Sequence, residues 1–136
     1  MESFRFRSLA VLAWLAIAAP AAAAGPGIRE VQVQFPEGKS GTTLQGKLTG
    51  DETVDYTLKA AAGQSMVATL KSSNASAYFN VLPPGSEAAI FIGSTSGNRF
   101  EGKLPADGTY TLRVYLMRSA ARRGEKASYT LEVAVR

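Results

Sequence analysis

The sequence contains no histidine and no cysteine. Their absence removes the commonest general base, the commonest metal ligand and the strongest side-chain nucleophile. Zinc and copper centres lose their usual ligands with them. No disulfide framework can form, so a domain built from this chain must rest on its apolar core. Long apolar stretches are scarce as well. One run of eleven residues, LAVLAWLAIAA, lies near the N-terminus, and no second one follows. A membrane-spanning helix needs roughly 20 such residues.

What surrounds that run gives it a meaning. Arg5 and Arg7 precede it; Pro20 and the small residues of AAAAGPG follow it. Charged region, apolar region and a small-x-small site at Ala22 and Ala24, in that order, make a secretory signal peptide. We read residues 1–24 as the signal, with cleavage after Ala24. No cysteine follows the run, which excludes a lipoprotein anchor on that residue. The mature chain, residues 25–136, is one domain by size and carries no membrane segment. A chain of this length can bury about 65% of its unfolded surface.

Positive charge is concentrated rather than spread. Residues 25–136 hold 13 Lys and Arg against 10 Asp and Glu, a net +3. Residues 113–126 alone carry Arg113, Arg118, Arg122, Arg123 and Lys126 against the single acid Glu125, a net +4. The remainder is slightly acidic. A local basic patch favours an acidic protein surface, a phosphate or an anionic polymer.

Around this patch the chain alternates with period two. Tyr110, Leu112, Val114 and Leu116 fall on one strand face, with Arg113, Tyr115 and Met117 on the other. Tyr129, Leu131, Val133 and Val135 repeat the pattern after the basic stretch. Such alternation marks half-buried strands, and the two are expected to form a hairpin that holds out residues 117–126, with Arg113 opposite Glu132. LMRSAARRGEK leaves room for a turn or two of helix before Gly124. Upstream, 31–35, 42–49, 54–60, 65–71, 78–82 and 99–104 read as further strands, and Gly46 should admit a close neighbour on its inner face. The apolar run 88–93 reads as a strand covered on both faces. PEGKSG, PPGSE and PADG mark turns. About eight or nine short strands without a convincing helix point to an all-β, antiparallel β-sandwich.

Little in this pattern carries reaction chemistry. The acids lie mostly in turns or on outward strand faces, where solvation accounts for them, although spacing alone does not exclude a paired-carboxylate site. Asp51, Glu52 and Asp55 fall short of the six to eight oxygens calcium requires. Asn74-Ala75-Ser76 is a glycosylation sequon without further support. Gly93 and Gly97 lack the strand and helix of a phosphate-cradling loop. The reading is a non-enzymatic binding protein without metal or cofactor. Export argues against nucleic acid as the partner of the basic patch. A patch kept basic only for solubility is the bland alternative. Against it, three of its four loop cations are Arg, which suits bidentate carboxylate recognition. Tyr115 and Met117 add exposed apolar contact beside them.

VDYTLKAAAGQSMVATL, followed later by LPADGTYTLRVYL and SYTLEV, resembles the pre-peptidase C-terminal type of β-sandwich. The stretch from YFNVLPPGSE through IFIGS to VYLMRSAARR is more particular. It resembles the periplasmic inhibitors of goose-type (g-type) lysozyme, and the likeness extends over nearly the whole mature chain. The resemblance implies a periplasmic protein that occupies the substrate cleft of a muramidase. Arg118, Arg122 and Arg123 are the candidates for meeting a catalytic carboxylate there, although one of the last two can serve to brace the loop. Tyr115 would pack at the rim, Ser94, Thr95 and Asn98 of GSTSGN would supply neutral hydrogen bonds, and Tyr78 would add a contact. A cell-envelope module that binds glycan or another protein on the same fold is the alternative.

Overall fold

The computed structural model describes residues 27–136; the expected signal peptide, 1–24, lies outside them. Nine strands and two short helices follow one another as β1 (Ile28–Gln32), β2 (Gly41–Thr49), β3 (Thr53–Ala60), β4 (Ser65–Ser72), β5 (Ala77–Leu82), β6 (Phe91–Ile92), α1 (Gly93–Ser96), β7 (Arg99–Lys103), β8 (Gly108–Leu116), α2 (Arg118–Arg122) and β9 (Lys126–Val135). They form two sheets, ordered β1-β3-β8-β5-β6 and β2-β9-β4-β7. The all-β sandwich expected from the alternation is what the chain builds, apart from one pairing. β1 runs parallel to β3, while the other strand pairs are antiparallel.

The inward faces are those the period-two pattern marks. Val54, Tyr56 and Leu58 of β3, Met66, Ala68 and Leu70 of β4, and the alternating apolar residues of β8 and β9 are all buried. Burying each Leu or Val side chain contributes about 1.5–3 kcal/mol, and with no disulfide among them these residues are the main source of stability. Gly46 does admit a neighbour. It stands opposite Tyr129 in the β2–β9 register. A Cβ there would overlap the Tyr129 hydroxyl end and lie 3.0 Å from the Tyr56 hydroxyl. Those two buried hydroxyls bond each other at 2.7 Å across the sheets. Burial first, then the Tyr56 bond, pushes the Tyr129 phenol above its ordinary pKa, so the Tyr129 hydroxyl stays neutral.

Three expectations are corrected. First, β8 and β9 do not form a hairpin: β8 pairs with β3 and β5, β9 with β2 and β4. The residues between them cross from one sheet to the other. Two amphipathic strands joined by nine residues can pair edge to edge or face each other across a core, and alternation looks the same in both cases. Arg113 therefore does not meet Glu132. It makes a two-pronged bond to Asp55 on β3, at 2.8 and 2.9 Å. Second, 88–93 is not a strand covered on both faces. Only Phe91 and Ile92 pair, at the sheet edge, and Ile90 and Ile92 are 40% and 43% exposed. Among the described residues no layer covers the outer face of this sheet, and within the run the large side chain that packs against the core is Phe91. Third, the first strand sits at Ile28–Gln32 rather than 31–35, although Val33 is buried in the core and continues the ladder through Val33 N–H to Thr57 O at 2.8 Å.

Tyr110 closes the turn before β8. Its hydroxyl accepts from Ala106 N–H at 3.0 Å and donates to Ala106 O at 2.6 Å. This fixes the start of the strand that leads to the basic segment.

Candidate functional site

The crossing segment between β8 and β9 is a short helix tied down on every side. Ala120 of α2 is fully buried, so the helix plugs the end of the sandwich. Met117 N–H donates to Ser76 O at 2.9 Å, and Gly50 N–H to Glu125 O at 2.8 Å. The Asn74 side-chain amide donates to Glu125 Oε1 at 3.0 Å and to Lys126 O at 3.1 Å. The sequon asparagine is thus occupied as a clamp. Arg123 bonds the other oxygen of Glu125 at 2.7–2.8 Å. The Asn74 bond first, and Arg123 second, hold the Glu125 carboxyl below its ordinary range. Gly124, at φ +71°, turns the chain out of the helix, a conformation glycine adopts without strain.

Beside α2 lies the outer face of the five-stranded sheet. Register sets Asp55, Arg113, Asn80 and Ile92 in one row across four strands. Arg113 lies on Asp55 and also reaches Glu87 at 3.5 Å; the Asp55 hydrogen bond raises its already high pKa, against the effect of burial. In the next row Tyr115 stands beside Tyr78, ring centroids 6.5 Å apart. The Tyr115 hydroxyl donates to Asn80 Oδ1 at 2.9 Å. The same oxygen accepts Gly93 N–H, at the start of α1, at 3.2 Å.

These elements enclose a groove of about 560 Å³ at the junction of β3, β8, α1 and α2. Three of the residues singled out in the sequence line it together: Tyr115, Arg118 and Ser94. Arg118 is exposed and forms no ion pair among the described residues. The other candidates sit elsewhere. Arg122 is exposed on the outer side of α2, and Arg123 is held by Glu125. Thr95 is exposed on α1 outside the groove lining. Asn98 accepts Leu70 N–H on its backbone oxygen at 2.9 Å, joining the four-stranded sheet. Tyr78 flanks Tyr115 without lining the groove.

The groove also contains residues outside the expected contacts: Asn80, Ile92, Arg113 and the turn acids Asp51 and Glu52. Ile92 and Met117, 43% and 41% exposed, put apolar surface beside a cation. Only strand register, which brings residues 13 to 58 positions apart together, could have revealed the row. The arrangement offers an exposed guanidinium, an aromatic edge, a serine hydroxyl and apolar flanks on a fixed frame. It suits docking against a protein surface that bears a carboxylate.

Known proteins resemble this chain in sequence and in fold. No family model matches the chain. The crystal structure of Aeromonas hydrophila PliG, a periplasmic lysozyme inhibitor of g-type lysozyme, superposes with a TM-score of 0.75 at 39% identity, over 80% of this chain and 97% of that one. The inhibitor of g-type lysozyme of Escherichia coli strain K12 is 27% identical over 111 residues, 79% of this chain and 82% of its own length. The pre-peptidase C-terminal domain of a Bacillus anthracis collagenase, at 18% identity and a TM-score of 0.51, shares the fold.

Proposed function

Since this chain belongs to the family of periplasmic inhibitors of g-type lysozyme, we propose that it inhibits a g-type lysozyme by docking the α2 end of its sandwich into the enzyme's substrate cleft. The observation that carries the proposal is the convergence of Arg118, Tyr115 and Ser94 on one groove beside the clamped α2. A muramidase works with a catalytic carboxyl in an open groove. Arg118 supplies the guanidinium for that carboxylate, Tyr115 with Ile92 and Met117 the apolar contact, and Ser94 a neutral hydrogen bond. Arg123 braces the segment by holding Glu125, and Arg122 adds positive charge at the rim, which steers approach. Because α2 is tied down before any partner arrives, little ordering cost falls on binding.

The inhibitor acts in the periplasm after export and removal of residues 1–24. It belongs to a family of inhibitors, not of enzymes, and its mechanism here needs no cofactor. The test is lysis of a peptidoglycan suspension by g-type and by chicken-type lysozyme, each titrated with residues 25–136. Inhibition of the g-type enzyme is the expected result. A folded protein that inhibits neither enzyme overturns the proposal.

A further inference from the structure

Two arms meet at the groove: β8, which carries Tyr115 and leads to Arg118, and the one-turn helix α1, which carries Ser94. α1 has little to hold it. The residue before it, Ile92, gives no side-chain cap, and four residues make less than two turns. Gly93 lies flat on the β5 backbone, where a Cβ would overlap Phe79 O. Among the described residues, the only side-chain hydrogen bond to the turn comes from Asn80, whose Oδ1 accepts both Gly93 N–H at 3.2 Å and the Tyr115 hydroxyl at 2.9 Å.

We infer that Asn80 is the positioning residue of the inhibitory surface, fixing the α1 arm relative to the Tyr115 arm through one shared acceptor oxygen. This deepens the lysozyme reading and rests on it. The chemistry is suited to the task. An amide oxygen has two lone pairs and so accepts two donors at once. Asn80 sits mid-strand on β5, paired with Arg113 on one side and Ile92 on the other, so the ladder sets its own position. Without it, the Tyr115 ring and the α1 turn would each sample further positions. Only the fraction of molecules with both arms in place would be competent to dock.

A loss of positioning lowers the competent fraction, and with it the association rate, but leaves the docked complex unchanged. A loss of direct contact raises the dissociation rate instead. The test is a double-mutant cycle of Asn80→Ala and Tyr115→Phe, reading association and dissociation with a g-type lysozyme in real time, with amide exchange at 93–97 followed in the free protein. Asn80→Ala should slow association about fivefold, the value of one net hydrogen bond, with dissociation within about twofold. Tyr115→Phe should slow it less, because Gly93 keeps its acceptor, and should add nothing in the Asn80→Ala background. Exchange at Gly93 should quicken in Asn80→Ala.

Faster dissociation at unchanged association would make Asn80 a direct contact and overturn the inference, as would additive effects. Should the unmutated protein fail to inhibit any g-type lysozyme, the functional reading falls by itself. The exchange comparison then still decides whether Asn80 holds the turn, and unchanged exchange overturns it.

Discussion

Gly46→Ala tests the packing that joins the two sheets. The added methyl would enter the space of the Tyr129 hydroxyl end and approach the Tyr56 hydroxyl to 3.0 Å. Both tyrosines are buried, 4% and 3% exposed, so neither ring can swing into open solvent. Displacing them costs about 1–3 kcal/mol of overpacking. Stretching the 2.7 Å hydroxyl pair loses about 1 kcal/mol more. Alanine returns about 0.5–1 kcal/mol through its smaller loss of backbone freedom in a strand. The net is a destabilisation of about 1–3.5 kcal/mol, or a fall in melting temperature of about 4–14 °C for a domain of this size. Thermal unfolding followed by circular dichroism measures it. Repeating the substitution in a Tyr129→Leu background removes the obstacle, and the cost of Gly46→Ala should then drop below about 1 kcal/mol. A Gly46→Ala protein as stable as its parent would refute the argument, because the close approach would then carry no energetic weight.

Other consequences can be checked with the same protein. Arg118→Ala should weaken inhibition by about 2–5 kcal/mol, roughly 30-fold or more, because it leaves an enzyme carboxylate unpaired; its melting temperature should not move, and an unimpaired variant removes Arg118 from the mechanism. Arg123→Ala should lower the protection of residues 118–126 against amide exchange more than it weakens the docked complex, since its partner is Glu125. Glu125 is held below its ordinary pKa by Asn74 and then Arg123, so its contribution is present above the usual carboxylate range and lost as pH falls through the lowered value. Protection of 118–126, taken relative to intrinsic exchange at each pH, should accordingly fall only under acid conditions, and Glu125→Gln should flatten that dependence. Tyr110→Phe removes two bonds to Ala106 and should cost about 1–2 kcal/mol in denaturant unfolding with inhibition retained.

Much of the sandwich was legible because burial leaves a period-two mark. β3, β4, β8 and β9 each bury the residues that alternation marks. Alternation says which side of a strand faces inward, not which strand lies beside it. For that reason the β8–β9 connection read as a hairpin, and Arg113 was assigned to Glu132 instead of Asp55. The run 88–93 misled for a related reason: apolar content implied two covering layers, while Ile90 and Ile92 stand exposed at a sheet edge. Within the proposed site, Arg118 and Tyr115 stand out by residue type and place in the basic patch, whereas Ser94 follows only from the resemblance of its segment to the inhibitor family. Asn80 carries neither mark. A lone polar residue in YFNVL looks like any outward strand position, and its role exists only once Tyr115 and Gly93 are brought to it from 35 and 13 residues away.

The helix that carries Arg118 belongs to neither sheet and is fastened to both, through Ser76 beside β5 and through Gly50 beside β2. Its two neighbouring arginines, Arg122 and Arg123, offer a protease an obvious target, yet a cleavage site must unfold locally over several residues before it can be cut. Here such opening would pull Ala120 out of the buried core and loosen both sheets at once. Digestion at this point should therefore proceed no faster than the whole domain unfolds. The segment proposed to dock would then last as long as the fold itself, and its survival time would serve as a direct clock for global unfolding.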